Sequence, residues 1–324
     1  VLAPDADMLV SFMRQFYETA PLIPSEILVD RTLTDGPLLQ DWLSGLKGHN
    51  VKIHAPQRGP KRRLLKMAQR NASQALEAYL AASRARMEVL ALLQRRLKLQ
   101  RMPMRIECFD NSSLAGTEPV ASQVVYQRGR RQKDQYRRYR IRSVAQQDDY
   151  AYLAEVLRRR YAKGEASQPY PDLLMVDGGK GQLNMALAVM HDLGLGDAFD
   201  VIGIAKPDPV RGEREDKIYK PGQANPVLWG RDQEGLLLLQ SIRDEAHRCA
   251  VTYQRQRRHK RSLRSALDAI PGIGPKRKAA LMKRFKSFHK LRAASLADLC
   301  LVDGINRQVA ETLIAHFRQK GRGA

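Results

Sequence analysis

Cysteine is scarce in this chain: Cys108, Cys249 and Cys300 are odd in number, far apart and without CxxC spacing. That excludes a disulfide framework or a cysteine zinc site and points to a reducing compartment, expected to be the cytoplasm. No apolar run approaches the ~20 residues that span a bilayer, and no signal-peptide pattern is visible. A GxxxxGK[ST] loop is also missing, since Lys180 is followed by Gly181, which excludes a P-loop. The largest deficit is of acid, with 34 Asp+Glu against 56 Lys+Arg and a net charge of +22. A polyanionic partner follows, bound in a salt-sensitive way. Charge alone does not separate nucleic acid from an acidic membrane surface, but no amphipathic basic helix with an aromatic belt is present, which favours nucleic acid.

What is present is organised around PDLLMVDGGKGQL, residues 171–183. Leu173–Val176 is a continuous apolar run, the pattern of a strand buried on both faces. It ends on Asp177, and Gly178 and Gly179 permit a sharp turn. Leu183, Ala186, Leu187 and Met190 then recur at helical spacing. The carboxylate of Asp177 is therefore expected at the carboxyl end of a central strand, where open α/β sheets bind ligands. A plain helix-capping role is the alternative.

At 324 residues the chain has room for two or three domains. Residues 6–20 read as a helix with Leu9, Phe12, Met13 and Phe16 on one face, and a long helical pattern runs from Pro60 towards Leu97. Residues 105–110, RIECFD, alternate as a strand ending at Asp110, with Asn111, Ser112 and Ser113 as a turn cluster. Residues 120–127 and 136–142 are further strands; in the latter Arg138, Arg140 and Arg142 share a face, which reads as a phosphate track or as protection of a sheet edge. A helix over 148–161, the strand at 173–177, its helix and a strand over 200–205 follow. Three strands, helix, strand, helix, strand is the order of an α/β, ribonuclease H-like mixed sheet. A helix from Gln233 carries Leu236, Leu239, Ile242, Ala246 and Ala250 on its buried side, flanked by His247 one turn from Arg243.

Beyond a basic stretch at 255–262, which reads as a linker, IPGIGPK (270–276) and VDGINRQ (302–308) repeat about thirty residues apart between short helical patterns. The unit is a helix–hairpin–helix, whose Gly-x-Gly turn aims backbone N–H groups at a DNA phosphate. Gly272 and Gly274 form the first nest, with Lys276, Arg277 and Lys278 supplying charge beside it; Gly304 belongs to the second, where Asn306 replaces the second glycine. The expected small all-α domain thus covers 263–324, after a ribonuclease H-like domain over 103–254 and an α/β and long-helix region over 1–102.

Asp110, Asp177 and His247 are distant in sequence but able to converge. Two carboxylates on neighbouring strands suit Mg²⁺ or Mn²⁺, which generates the attacking hydroxide and stabilises charge on phosphorus. His247 serves as a ligand, as a proton carrier, or as an ordinary helix histidine. Glu107 alternates away from Asp110, and Asp148 and Asp149 read as helix caps. Arg138, Arg140 and Lys180 are DNA-contact candidates alongside the hairpin residues.

The ordered set IECFDNSSLAG, PVASQVVY, YRRYRI, DDYAYLAEVLRRRY, PDLLMVDGGKGQL, GIAK and IRDEAHRCAV, followed by paired hairpins, resembles the UvrC family of excision nucleases from about residue 9 to the end. The resemblance implies a ribonuclease H-like endonuclease making the 5′ incision in nucleotide excision repair on damaged double-stranded DNA. It matches Asp110, Asp177 and His247 to the family's catalytic positions. It also implies UvrB as a partner with UvrA upstream, although no clear UvrB-binding segment is visible. No stretch matches the family's GIY-YIG nuclease, so one cut is expected, not two. Ser113 departs from the His or Asn frequent there in the family. The rival readings are a non-catalytic helix–hairpin–helix DNA-binding module and a ribonuclease H-like junction resolvase.

Overall fold

A computed structural model describes residues 5–114, 117–142, 148–162, 168–213, 215–230, 233–268, 270, 272–285 and 288–320. It separates into two units, Val1–Ala85 and Arg86–Ala324. The first holds α1 (Asp5–Thr19), β1 (Glu26–Leu28), α2 (Gly36–Lys47), β2 (Lys52–His54) and the start of α3 (Gly59–Leu97), with β1 and β2 paired in parallel. Helix α2 carries Pro in its first turn, where no N–H is needed, and stops at Gly48 in the left-handed region (φ 77°). Val10, Met13, Leu39, Leu43 and Val51 are its core. The face expected for α1 is corrected in part: Met13 is buried and Leu9 packs against this core as expected, with Val10 buried beside them, whereas Phe12 and Phe16 are exposed and stack on each other at 5.9 Å. Both stripes satisfy the helical period, and only contact with α2 selects between them.

The second unit contains β3 (Arg105–Leu114), β4 (Thr117–Gln127), β5 (Arg130–Arg131), β6 (Arg137–Arg140), α4 (Asp149–Tyr161), β7 (Leu173–Asp177), α5 (Lys180–Asp192), β8 (Asp200–Ala205), β9 (Lys217–Tyr219) and α6 (Gln233–Asp268). Strand order is β5-β4-β3-β7-β8-β9, with β6 also pairing β4. β3, β7 and β8 are mutually parallel, and the flanking β4 and β9 run antiparallel to them. This is the ribonuclease H-like mixed sheet that the element order predicts.

The period of two along each strand sorts side chains between two cores. Ile106, Cys108, Leu173 and Met175 pack under Leu236, Leu239, Ile242 and Ala246 of α6. Phe109, Leu174 and Val176 point the other way, into a core with α4 and α5. Asp148 caps α4, its carboxylate accepting from the N–H groups of Tyr150 and Ala151. Gly203 on β8 is a close-approach glycine: an added Cβ would lie 2.8 Å from the Gly178 carbonyl oxygen, in the turn that leaves β7.

Two further expectations change. The Asn111–Ser113 cluster is not a turn, because β3 continues to Leu114, pairing Asn111 with Ala121 and Ser112 with Val120 before a register shift. Ladder hydrogen bonds to β4 outweigh the local turn preference of Asn and Ser. The basic stretch at 255–262 lies within α6, which runs on to Asp268. It contains no Gly or Pro and several long straight side chains, so nothing in it opposes a helix.

After α6 come α7 (Pro275–Phe285), α8 (Phe288–Arg292), α9 (Leu296–Cys300) and α10 (Arg307–Lys320). They share one core with Leu267, including Ile270, Leu281, Leu299, Leu313 and Phe317. Among the described residues no helix is long and apolar enough to cross a membrane.

Candidate active site

The last registered pair of the β3–β7 ladder is Phe109 with Val176. The next residue on each strand is an aspartate, Asp110 or Asp177, two positions on from Cys108 or Met175 and so on the α6 face. Neighbouring strands lie about 4.8 Å apart, which sets the two carboxylates side by side. β7 stops at Asp177 because two glycines follow and α5 begins at Lys180. His247 reaches the same point from α6, with Nδ1 3.1 Å from Asp110 Oδ2. One ligand atom from each of Asp110, Asp177 and His247 lies within 4.8 Å of the other two.

Asp110 is 5% exposed, Asp177 half-buried, and the His247 side chain 46% exposed, so the cluster opens to solvent on the histidine side. Burial, and then the charge of Asp110, push the Asp177 carboxyl up to about 7. The hydrogen bond to Asp110 raises the His247 imidazole, and burial partly offsets it. An ionised carboxylate can only accept, so Nδ1–H donates to Asp110 and Nε2 is the remaining ring nitrogen. Burial and the two carboxylates push the Cys108 thiol well up, keeping it out of reactive chemistry. Two crowded acids beside an imidazole make a donor set with excess negative charge, which an oxygen-seeking divalent cation fits.

Several contributors carry no motif signal. Arg243, one turn before His247, is buried in an ion pair with Asp216, and its charge opposes the rise at Asp177. Lys206, just past β8, acts on Asp177 and His247 together. Glu107 indeed faces away from Asp110, but it anchors a second buried network. Arg105 Nη2 and Arg160 Nη2 donate to its Oε1 at 2.8 and 2.9 Å, and Gln123 Nε2 and Tyr161 Oη donate to its Oε2 at 2.8 and 2.9 Å. A lone Glu within an apolar alternation was the only sequence sign of it.

The nucleic-acid candidates fall in three places. Arg138 and Arg140 are exposed on β6; Arg138 Nη1 donates to Gln256 Oε1 at 3.1 Å and its guanidinium lies 5.7 Å from the Tyr253 ring centroid. Lys180, exposed at the start of α5, has its ammonium 6.0 Å from the Tyr219 ring centroid. In the hairpins Gly272 (φ 82°) and Gly304 (φ 77°) take the left-handed backbone that favours glycine. Gly274 and Lys276 are exposed beside the first turn. Arg277 has a structural task, donating from Nε to the Gly304 carbonyl and from Nη1 to the Gly272 carbonyl, both at 2.8 Å, and so tying the two turns together. Lys278 is buried against Asp268 rather than offered to a phosphate. Asn306 accepts from the Val309 N–H at 3.0 Å, capping α10 where a glycine would leave that donor open.

Comparison with known proteins matches residues 94–251 to the UvrC RNase H endonuclease domain, 2–79 to the UvrC ribonuclease H-like domain and 265–319 to the SAM-like helix-hairpin-helix tandem. The UvrABC system protein C of Desulfatibacillum aliphaticivorans is 44% identical over 314 residues, covering 97% of this chain and 52% of that protein. That of Desulforapulum autotrophicum is 46% identical over 305 residues, covering 94% and 50%. The chain therefore spans about half the length of the curated relatives it matches. Among solved structures, an endonuclease V from Ciona intestinalis, in complex with an inosine-containing DNA, is 16% identical with a TM-score of 0.25, covering 43% of this chain and 63% of that one.

Proposed function

Because the chain belongs to the UvrC family, we propose that it is a divalent-metal-dependent endodeoxyribonuclease making the 5′ incision beside a lesion in nucleotide excision repair. The observation that carries this reading is the convergence of Asp110, Asp177 and His247 at the open edge of the central strands. Asp110 and Asp177 would hold Mg²⁺ or Mn²⁺, which when bound supplies Lewis-acid stabilisation and a more acidic water. Asp110 also orients the imidazole through Nδ1, leaving Nε2 of His247 to exchange the proton of the hydrolytic step. Water oxygen bonds to phosphorus, the P–O3′ bond breaks, and the departing O3′ takes up a proton, leaving a 3′ hydroxyl and a 5′ phosphate. Arg243, paired with Asp216, tempers the negative field around Asp177 without exposing a cation to the substrate. The hairpins place backbone donors and Lys276 against the duplex. Damaged double-stranded DNA is the substrate in this reading, and UvrB, with UvrA upstream, the recruiting partner.

The test is nicking of lesion-containing duplex in Mg²⁺ or Mn²⁺. Asp110→Asn and Asp177→Asn are expected to abolish nicking while DNA binding persists, and His247→Ala to remove cleavage. Wild-type nicking by either aspartate variant would end the metal-ligand assignment, and full activity of His247→Ala would return that residue to an ordinary helix position.

A further inference from the structure

Beside the candidate active site, on the far side of the α6 ridge, an open cleft of about 500 Å³ lies between β6 and α6. Lys133, Tyr136, Arg138, Arg248 and Thr252 line it over Glu245. The register relates it to the aspartate cluster. Asp110 pairs with Ser122 on β4, and Ser122 pairs with Arg138 on β6, so the three form one cross-strand row on the α6 face. Two strand spacings separate Asp110 from Arg138, about 10 Å. A nucleic-acid strand advances at least about 3.4 Å per phosphate, so this distance corresponds to no more than about three phosphates.

The cleft is built rather than incidental. Glu245, 2% exposed at its side chain, accepts from Arg248 Nη2 at 2.6 Å and Nε at 3.1 Å, and lies 3.5 Å from Arg131 Nη1. A buried carboxylate thus fixes an arginine that is itself 60% exposed, which lowers the ordering cost of a contact. Arg138 is likewise held, by Gln256 and the ring of Tyr253. Arg248 follows His247 directly on the exposed ridge of α6, so one backbone crossing that ridge meets the imidazole first and the cleft next. Four cations, Lys133, Arg137, Arg138 and Arg248, over a single, already paired carboxylate leave the cleft positive.

We infer that this cleft binds the phosphodiester backbone of the strand being cut, one to three phosphates from the scissile bond, and thereby sets the direction in which the strand lies across the aspartates. The inference rests on the nuclease reading for what is cut, but its binding step is measurable without cutting. Arg138 and Lys133 act here as positioning residues.

The experiment compares the whole chain with a Lys133→Ala/Arg138→Ala double variant, with circular dichroism as the check on folding. In EDTA, affinity for a fluorescent duplex containing an unpaired bubble is measured against NaCl. Each lost phosphate contact lowers the log–log salt slope by about 0.9, so a decrease of about two is expected. A single neutral methylphosphonate is then moved along the nicked strand. One position, one to three phosphates from the nick, should weaken binding and nicking by the wild type and have no further effect on the double variant, with Arg138→Lys restoring part of the slope. An unchanged slope, or identical methylphosphonate profiles for both proteins, would overturn the inference. Absence of nicking in every protein would instead remove the nuclease reading, while slope and binding profile still decide the cleft.

Discussion

Replacing Asp177 with Asn should make the metal-free protein more stable at neutral pH, not less. The carboxyl of Asp177 sits at about 7 in the folded chain, raised by burial and by Asp110 from an ordinary value of 3.8. Below about pH 4 the group is protonated in folded and unfolded states alike and costs nothing. As pH rises towards 7 the unfolded chain releases this proton while the folded chain keeps it, so unfolding becomes progressively easier. About three pH units at 1.36 kcal/mol each amounts to about 4 kcal/mol; because Asp177 is only half-buried and solvent screens part of this, about 2–4 kcal/mol is the expected range. His247 acts in the same direction, since its raised imidazole contributes stability below its unfolded value and loses it as pH rises through the folded one. The assay is urea unfolding in EDTA between about pH 4 and pH 8, followed by the fluorescence of buried Trp229 in a Trp42→Phe background. Wild type and Asp177→Asn should converge at the acid end, diverge between about pH 4 and pH 7, and keep a constant gap above neutrality, with the variant ahead. Mn²⁺ should raise the wild type and leave the variant nearly unmoved. Parallel pH profiles for the two proteins would refute the reasoning, because they would mean that the aspartates do not share a crowded, desolvated site.

The Glu107 network offers a second measurement, on stability alone. Glu107→Gln leaves Arg105 and Arg160 buried without their carboxylate, and a loss of about 3–5 kcal/mol in urea unfolding is expected, with nicking retained where the variant is folded. A loss below about 1 kcal/mol would show that the guanidiniums find other partners. In the first hairpin, Gly272→Val forces a side chain into a left-handed backbone (φ 82°), and DNA affinity should fall while the Trp229 unfolding transition stays in place. Unchanged affinity at physiological salt would remove that turn from the DNA-binding surface.

Much of the architecture is legible in local pattern. The run Leu173–Val176 is long and apolar enough to be a doubly buried strand, and it emerges as β7 between β3 and β8. The sequence stretch 200–205 is β8, and the helix period from Gln233 predicts the buried face of α6. Legibility fails where two elements compete for the same residues. Asn111 and Ser112 carry turn chemistry, yet β4 lies alongside and supplies a ladder. Phe12 and Phe16 have the right spacing for a core, yet α2 contacts Val10 and Met13 instead. Arg277 reads as a free cation in a basic run, and only the closeness of the two hairpin turns makes it a tie between carbonyls.

By itself the sequence determined which residues could carry chemistry: strand period, glycine turns and the positive charge excess are local or global sums, readable without coordinates. Only the tertiary structure decided that Asp110, Asp177 and His247 meet, because register between β3 and β7 and the path of α6 over the sheet join residues up to 137 positions apart. It alone also decided what surrounds them: the Arg243–Asp216 pair, the Glu107 network and the cleft beside Arg138. The physical reason is that periodicity assigns a side chain to a face, whereas the charge and desolvation it experiences depend on which other face is packed against it.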